Sequence, residues 1–518
     1  MDSVDEKLPP PPKTDVETQG LPKKHPDGRI LNHSEDADEA MKAFAGLEGQ
    51  VITIDAETNR RLLRIIDWHM MPLMCCVYGL NFLDKTTLSY ASVMGIQADI
   101  HLKGDNYQWL GSMFYIGYLA WEYPTSRLLQ RLPLGKYSAF CIIIWGLILS
   151  CFAAVTNFAG AVAIRYFLGM FEAAVTPGFA LLTSQWYTKT EQGMRTNIWF
   201  SFNGVAQIVG GLVAYGVAVG VREHGSSLKS WRIVFLIAGF LTIALGVCFF
   251  YWIPDNQLNA RWLKKEDRIL AVERVRINQQ GIGNKHFKMY QFKEALADPI
   301  TWAFCLYALL AEIPNGGFTT FFSQLIQSFG YTAEQSLLYG TPGGAVEVIA
   351  LLLNGYIGDR FGQRILASSG GAIAGLVGVI LIIALPLSNK IGRLIGLYLA
   401  AASATPFITL ISLISSNVAG YTKKTTVAAI YLMAYCVGNI IGPQTFRPKD
   451  APRYVPAEIT ILACIGASLL DLAFIWWWYR RQNAKKAEIR ARPGYEKLEN
   501  QEWLDLTDWE NHELVYTL

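Results

Sequence analysis

The stretch RYFLGMFEAAVTPG, residues Arg165 to Gly178, places an arginine and a glutamate seven positions apart inside an apolar run from Ala159 to about Trp186. A run of about 20 apolar residues is long enough to cross a membrane as a helix. An ionised side chain at mid-bilayer costs at least ~2.5–3.5 kcal/mol on insertion scales, so it persists where it meets a partner or a water-filled cavity. At 1.5 Å rise per residue, Arg165 and Glu172 sit about 10 Å apart along one helix face. Direct intrahelical pairs form at i+3 or i+4. The two charges share a face but cannot easily touch. Each therefore needs a partner from another helix or from a ligand, and the segment reads as one span of a bundle enclosing a polar site.

The rest of the chain fits that reading. Its 518 residues are 52% hydrophobic and 17% charged, against about 25% charged in soluble proteins. This composition excludes an ordinary soluble protein. The net charge of +3 is too small to suggest a nucleic-acid partner. Apolar runs lie near residues 68–90, 107–128, 137–156, 160–185, 197–220 and 232–253, then 300–325, 337–358, 364–386, 391–414, 424–446 and 457–479. The expected fold is an all-α membrane protein with about twelve transmembrane helices in two six-helix halves. The expected units are a disordered N-terminal tail (1–60), a first half (61–253), a central loop (254–299), a second half (300–479) and a C-terminal tail (480–518). PPPPK and the polar residues after it offer no core to bury, which is why the first unit reads as a disordered tail. No signal peptide is evident, because the first 60 residues contain no apolar h-region. In the central loop, Ile269, Val272, Val275 and Arg276 follow helical spacing and suggest a short amphipathic surface helix.

Lysines and arginines cluster in the loops after spans two, six, eight, ten and twelve, for example Arg127, Arg131, Lys136, Lys264 and Lys423. With twelve spans these loops lie on one side, which the positive-inside rule makes cytoplasmic. Both termini are then cytoplasmic. Arg222, Lys229, Arg447 and Arg453 lie on the opposite side, so the bias is not absolute. The eight cysteines fall in apolar runs without metal-ligand spacing, and neither a disulfide nor zinc nor any other cofactor is expected. There is no HExxH and no GxSxG, so the chain does not read as an enzyme.

The first span supplies partners for the two charges. NFLDKTTLSYA (Asn81 to Ala91) carries Asp84 beside Lys85. Adjacent helical residues point about 100° apart, so one can face a cavity while the other meets a neighbouring helix. Together the two spans hold two cations and two carboxylates. A cation in a dry cavity binds an anion, and a carboxyl group shielded from water can carry a proton. That is the minimum equipment for coupling protons to an organic anion; the alternative is a structural cluster that locks helices together. Elsewhere, Glu122 ends span two beside Pro124 and reads as a gate residue. Glu312 precedes Pro314 and Asn315-Gly316-Gly317, a helix interruption of the kind that lines sites. Glu347 and Asp471 also fall within spans, with no role that the sequence decides. Gly438 and Gly442 form a GxxxG step suited to close packing, with Asn439 between them as a possible site residue.

GYIGDRFGQR (Gly355 to Arg364) matches the cytoplasmic-loop signature G-x-x-x-D-R-x-G-x-R, and over its helical length the chain resembles the major facilitator superfamily. Within it the chain is similar to the anion:cation symporter family, most of all its fungal allantoate permease branch. The residues that carry this likeness are FLDKTTLSYASVMGI (82–96), RYFLGMFEAAVTPG, NVAGYTKK (417–424), GNIIGPQTF (438–446) and LTDWEN (506–511). The resemblance implies alternating access by two rocking halves. It implies Asp84 and Glu172 as proton carriers, and Lys85 and Arg165 as cations that bind or couple the anion. Asn315 and Asn439 join the substrate site, and Glu122, Asp359, Arg360 and Arg364 serve gating. Lys85 stands where the family more usually has arginine; lysine lacks the bidentate fork and holds a carboxylate less rigidly. RLLQRLPLGK (127–136), the first-half counterpart of the loop signature, lacks its aspartate. The implied function is proton-coupled import of a small carboxylate across the plasma membrane: allantoate, ureidosuccinate or a small peptide. The branch also leaves open a thiamine-related compound or cysteine, and a non-transporting nutrient sensor is a further alternative. The expected partners are the substrate, protons and the lipid bilayer, and the chain is expected to act as a monomer.

Overall fold

The computed structural model describes residues 54–276, 287–451, 453–493, 495 and 505–518, apart from the side chains of Gln130 and Lys189. Residues 1–53, most of the expected N-terminal tail, lie outside the described residues, as do 277–286 of the central loop. The described residues are helical, with no strand among them. Twelve successive helical units match the twelve expected spans. The first six are Ala56–Val93, Asn106–Arg131, Leu134–Phe152, Phe158–Glu172 with Val175–Trp186, Lys189–His224 and Ser230–Trp252. The second six are Pro299–Ser328, Ala333–Tyr339 with Thr341–Phe361, Arg364–Ala384, Lys390–Ala400 with Thr405–Asn417, Tyr421–Gln444 and Val455–Arg490.

Among the described residues nine units are long and apolar enough to cross a membrane, or ten when the bent pair Met289–Ala297 and Pro299–Ser328 counts as one. The first two units fall outside that set. The first carries Asn81, Asp84, Lys85, Thr86 and Thr87, all buried in the bundle rather than turned outward. Outward faces instead present large apolar side chains such as Phe240, Ile349 and Leu470. Exposed apolar surface on this scale would aggregate in water and is stable against lipid.

The fourth span is broken immediately after Glu172, where Ala173 and Ala174 separate its two helices. The tenth span, its counterpart in the second half, breaks at the 3-10 turn Ala401–Ala404. Close approach of the second and fourth spans depends on two glycines. A Cβ on Gly117 would collide with the backbone oxygen of Tyr166, and one on Gly169 with that of Phe114. Gly438 and Gly442 act likewise between the seventh and eleventh spans, where added Cβ atoms would strike Glu312 and the Ile313 carbonyl.

The two halves are stitched together at one end. The Tyr107 hydroxyl donates to the Thr320 carbonyl at 2.7 Å, Gln108 Nε2 to the Phe446 carbonyl at 2.8 Å, and the Ser323 amide to Ser89 Oγ at 3.0 Å. These contacts lie at the end opposite the basic loops.

The loops differ in detail from expectation. The central-loop helix is Lys265–Arg276. Val272 and Val275 are buried, as the apolar face of an amphipathic helix requires, whereas Ile269 on the same spacing is exposed. Arg274, also buried, pairs with Glu191 and donates to Asn59 Oδ1 at 2.7 Å, and Asp267 meets Arg61 at 2.5 Å. This helix is bolted to the first half rather than resting free on a surface. The C-terminal segment is also built in. The twelfth helix continues to Arg490, and residues 505–518 pack back on the second half. Lys423 Nζ lies 2.8 Å from Asp508, 2.8 Å from Asp298 and 2.9 Å from Glu294. Lys486 Nζ donates to the backbone oxygens of Asp508 and Asn511, and the Tyr516 ring stacks on Tyr479 at 4.9 Å.

Candidate functional site

The four charges meet in crossed pairs. Lys85 Nζ lies 3.1 Å from Glu172 Oε1, and Arg165 Nη1 lies 3.8 Å from Asp84 Oδ1. Each cation of one span is paired with the carboxylate of the other. Asp84 and Lys85 are adjacent, so their side chains diverge by about 100°. Asp84 turns toward the third and fourth spans, where Trp145 Nε1 donates to its Oδ2 at 2.7 Å. Lys85 turns toward Glu172 and donates to Asn81 Oδ1, one helical turn back, at 2.9 Å. Arg165 Nε donates to the Leu110 carbonyl at 3.1 Å. The Phe114 ring is shared by both cations, its centroid 5.0 Å from Arg165 and 5.8 Å from Lys85. Trp145, Phe114 and the Leu110 carbonyl are partners that sequence reasoning missed. A tryptophan in an otherwise apolar third span was the one available signal, since a buried indole N–H seeks an acceptor.

Burial separates the roles these charges can play. Asp84 and Glu172 are 0% exposed and Arg165 2%, while Lys85 is 9% exposed. Of the four, Lys85 lines the cavity of about 130 Å³ between the halves. The other three sit behind it. The first half adds Asn81 and Asn203 to the wall, and the second half adds Glu312, Asn315 and Glu347.

Asn315 and Asn439 both bind Glu312. Each donates its Nδ2 to Glu312 Oε2 at 2.8 Å, and Asn315 also donates to Asn439 Oδ1 at 3.1 Å. Asn315 borders the cavity; Asn439 is 0% exposed and stands behind Glu312 rather than on the wall.

The expected gate residues are dispersed. Asp359 Oδ1 pairs with Arg364 at 2.9 Å, and Arg364 Nη1 donates to Ser412 Oγ at 3.3 Å. Arg360 is exposed. Glu122 is 4% exposed, and neither carboxyl oxygen has a hydrogen-bond partner among the described residues. The first-half loop without an aspartate receives one from elsewhere. Asp255, after the sixth span, accepts from the Lys136 amide at 3.1 Å and pairs with its Nζ at 3.6 Å. The motif is incomplete in sequence and completed in space.

A bundle of two six-helix halves around a central cavity that carries a few charged and amide side chains is a transporter architecture, and comparison with known proteins agrees. The sequence profile of the Major Facilitator Superfamily matches residues 74–443. An uncharacterized transporter of Schizosaccharomyces pombe is 44% identical over 90% of this chain and 91% of its own length. The allantoate permease of Saccharomyces cerevisiae is 38% identical over 95% of this chain and 92% of that protein. In fold, a bacterial homolog of the human lysosomal transporter Spinster, captured inward-facing and occupied, superposes with a TM-score of 0.55. That comparison covers 80% of this chain and 97% of that one at 18% identity. The crossed charge pairs therefore sit in a multi-pass membrane transporter, not an enzyme, and the chain belongs to the Major Facilitator Superfamily.

Proposed function

We propose that this transporter imports a small organic anion together with protons, with allantoate as the first candidate, across the plasma membrane and with both termini cytoplasmic. The observation that carries this reading is the pairing of Lys85, the cation on the cavity wall, with the fully buried Glu172 behind it. The likeness to the allantoate permease directs the choice of substrate.

Charge bookkeeping gives the coupling. Asp84, Lys85, Arg165 and Glu172 sum to zero when all are ionised. A substrate carboxylate arriving at Lys85 Nζ makes the cluster net negative in a medium where an uncompensated charge is costly. One proton on Glu172 restores neutrality and releases Lys85 to the substrate. Arg165, clamped between Asp84 and the Leu110 carbonyl, fixes the field behind them and leaves Asp84 as a second proton site. Asn315 borders the substrate, and Asn439 acts through Glu312. Proton entry also has an energetic reason. A potential of 100 mV, inside negative, opposes each entering negative charge by about 2.3 kcal/mol. One proton per monovalent anion cancels that opposition, and two make uptake electrically favourable.

In this reading the stitched end faces outside, and the halves part there when substrate enters. The ion pair Asp359–Arg364 and the buried Glu122 belong to the opposite gate. The test is uptake of labelled allantoate by cells expressing the chain at external pH 5 and 7.5, beside Arg165→Ala and Glu172→Gln. Uptake that is faster at pH 5 and lost in both variants supports the reading. Normal uptake in both variants, with the protein at the surface, overturns it.

A further inference from the structure

The cavity wall is not built for a plain anion. Among the described residues Lys85 is its one cationic side chain, and it is already paired with Glu172. The same wall carries two carboxyl groups from the second half, Glu312 and Glu347. Glu312 is 4% exposed, and its Oε2 is fixed by Asn315 and Asn439, so the carboxyl group has a set orientation. Its Oε1 has no hydrogen-bond partner among the described residues. Glu347 is 6% exposed and has neither a hydrogen bond nor an ion pair there. A carboxyl group inside a membrane bundle persists where it meets a partner or a water-filled cavity, and these two open onto the cavity, where a bound molecule can reach them. Asn203 Oδ1, another oxygen on this wall's residues, is likewise unpartnered, whereas Asn81 Nδ2, beside Lys85, is an unpartnered donor. The first half thus brings the Lys85 ammonium to the wall, and the second half brings the two carboxyl groups of Glu312 and Glu347.

We infer that Glu312 and Glu347 form a second substrate subsite that accepts N–H donors, so that the transported class is a small carboxylic acid bearing a ureido, amide or ammonium group. The acid's carboxylate meets Lys85, and its N–H groups meet Glu312 Oε1 and the Glu347 carboxyl group. This inference rests on the proposed function, because it needs the carboxylate at Lys85. A site built around buried acceptors discriminates strongly against an analogue that lacks the donors, because its own polar groups are then left unpaired.

Two probes of nearly equal shape test it. N-carbamoylglycine carries a ureido group; levulinate replaces its NH and NH2 by CH2 and CH3 and keeps the carboxylate. Each is titrated against the purified full chain in lipid nanodiscs, with ligand-induced thermal shift as the readout. The expected result is binding of N-carbamoylglycine at least about tenfold tighter than levulinate. Glu347→Leu and Glu347→Gln should shrink that ratio toward one by weakening N-carbamoylglycine alone, with Glu312→Gln as a further variant should one of them fail to fold. Lys85→Gln should lose both probes. Equal binding of the two probes by the wild type, lost in Lys85→Gln, would overturn the subsite and leave the anion reading standing. Binding of neither probe, or binding of both unaffected by Lys85→Gln, would overturn both.

Discussion

Glu172 and Lys85 face each other at 3.1 Å across two spans, while Arg165, on the same helix face as Glu172, is paired with Asp84 instead. The cation nearest the cavity thus shares its charge with a carboxylate that solvent does not reach. Replacing Glu172 by Gln mimics its protonated form permanently. The expected outcome is loss of net uptake and of its pH dependence, with exchange of substrate across the membrane retained. Preloaded cells check this by comparing efflux into buffer with efflux into buffer containing substrate.

Trp145 holds Asp84 by one hydrogen bond at 2.7 Å in a fully buried setting. Trp145→Phe keeps most of the packing and removes the donor. Orphaning a buried acceptor costs about 1–3 kcal/mol, more for a charged group. The purified variant should melt at lower temperature, and its uptake should fall because Asp84 then loses the hydrogen bond that orients it. An unchanged melting temperature would show that the indole is only a packing group.

Gly117 and Gly169 let the second and fourth spans touch backbone to backbone. Alanine at either position has no room, because its Cβ would meet a carbonyl oxygen that belongs to a helix. Overpacking of this kind costs typically ~1–3 kcal/mol and occasionally more. Either variant should reach the surface poorly. Gly216→Ala, where nothing lies within 4 Å of the added atom, is the matched control and should express normally.

Lys423 binds three carboxylates and is 0% exposed. Lys423→Met removes the ammonium that Glu294, Asp298 and Asp508 share as their ion-pair partner. Breaking a buried pair by removing one partner costs ~3–5 kcal/mol. The docked segment 505–518 should then become accessible to limited proteolysis, with the transmembrane bundle intact. Asp508→Asn, which removes one of three negative charges, should have a smaller effect.

The sequence made some of this legible and hid the rest for physical reasons. Span positions follow from apolar runs, because a bilayer imposes length and composition on each helix separately. The charges at Asp84, Lys85, Arg165 and Glu172 were visible for the same reason, as costly exceptions. Their crossed pairing was not visible, since it depends on the rotation of two helices about their axes and on how closely Gly117 and Gly169 let spans approach. Trp145, Phe114 and the Leu110 carbonyl come from other spans; the indole N–H of Trp145 is a local signal that an acceptor is needed, but nothing in the sequence names Asp84 as that acceptor, and no local pattern marks the other two. Asp255 completes a motif more than a hundred residues away in the chain. The docking of residues 505–518 rests on Lys423 and Lys486, whose basic character reads in sequence as loop charge alone.

Transport by purified protein in liposomes tests the central claim most directly. Vesicles carrying an imposed pH gradient, acidic outside, are given labelled allantoate, and substrate entry is followed together with internal pH. The account predicts accumulation above the external concentration, a matching entry of acid, collapse of both with a protonophore, and neither in Glu172→Gln. Equal accumulation with and without the pH gradient, unaffected by Glu172→Gln, would contradict it.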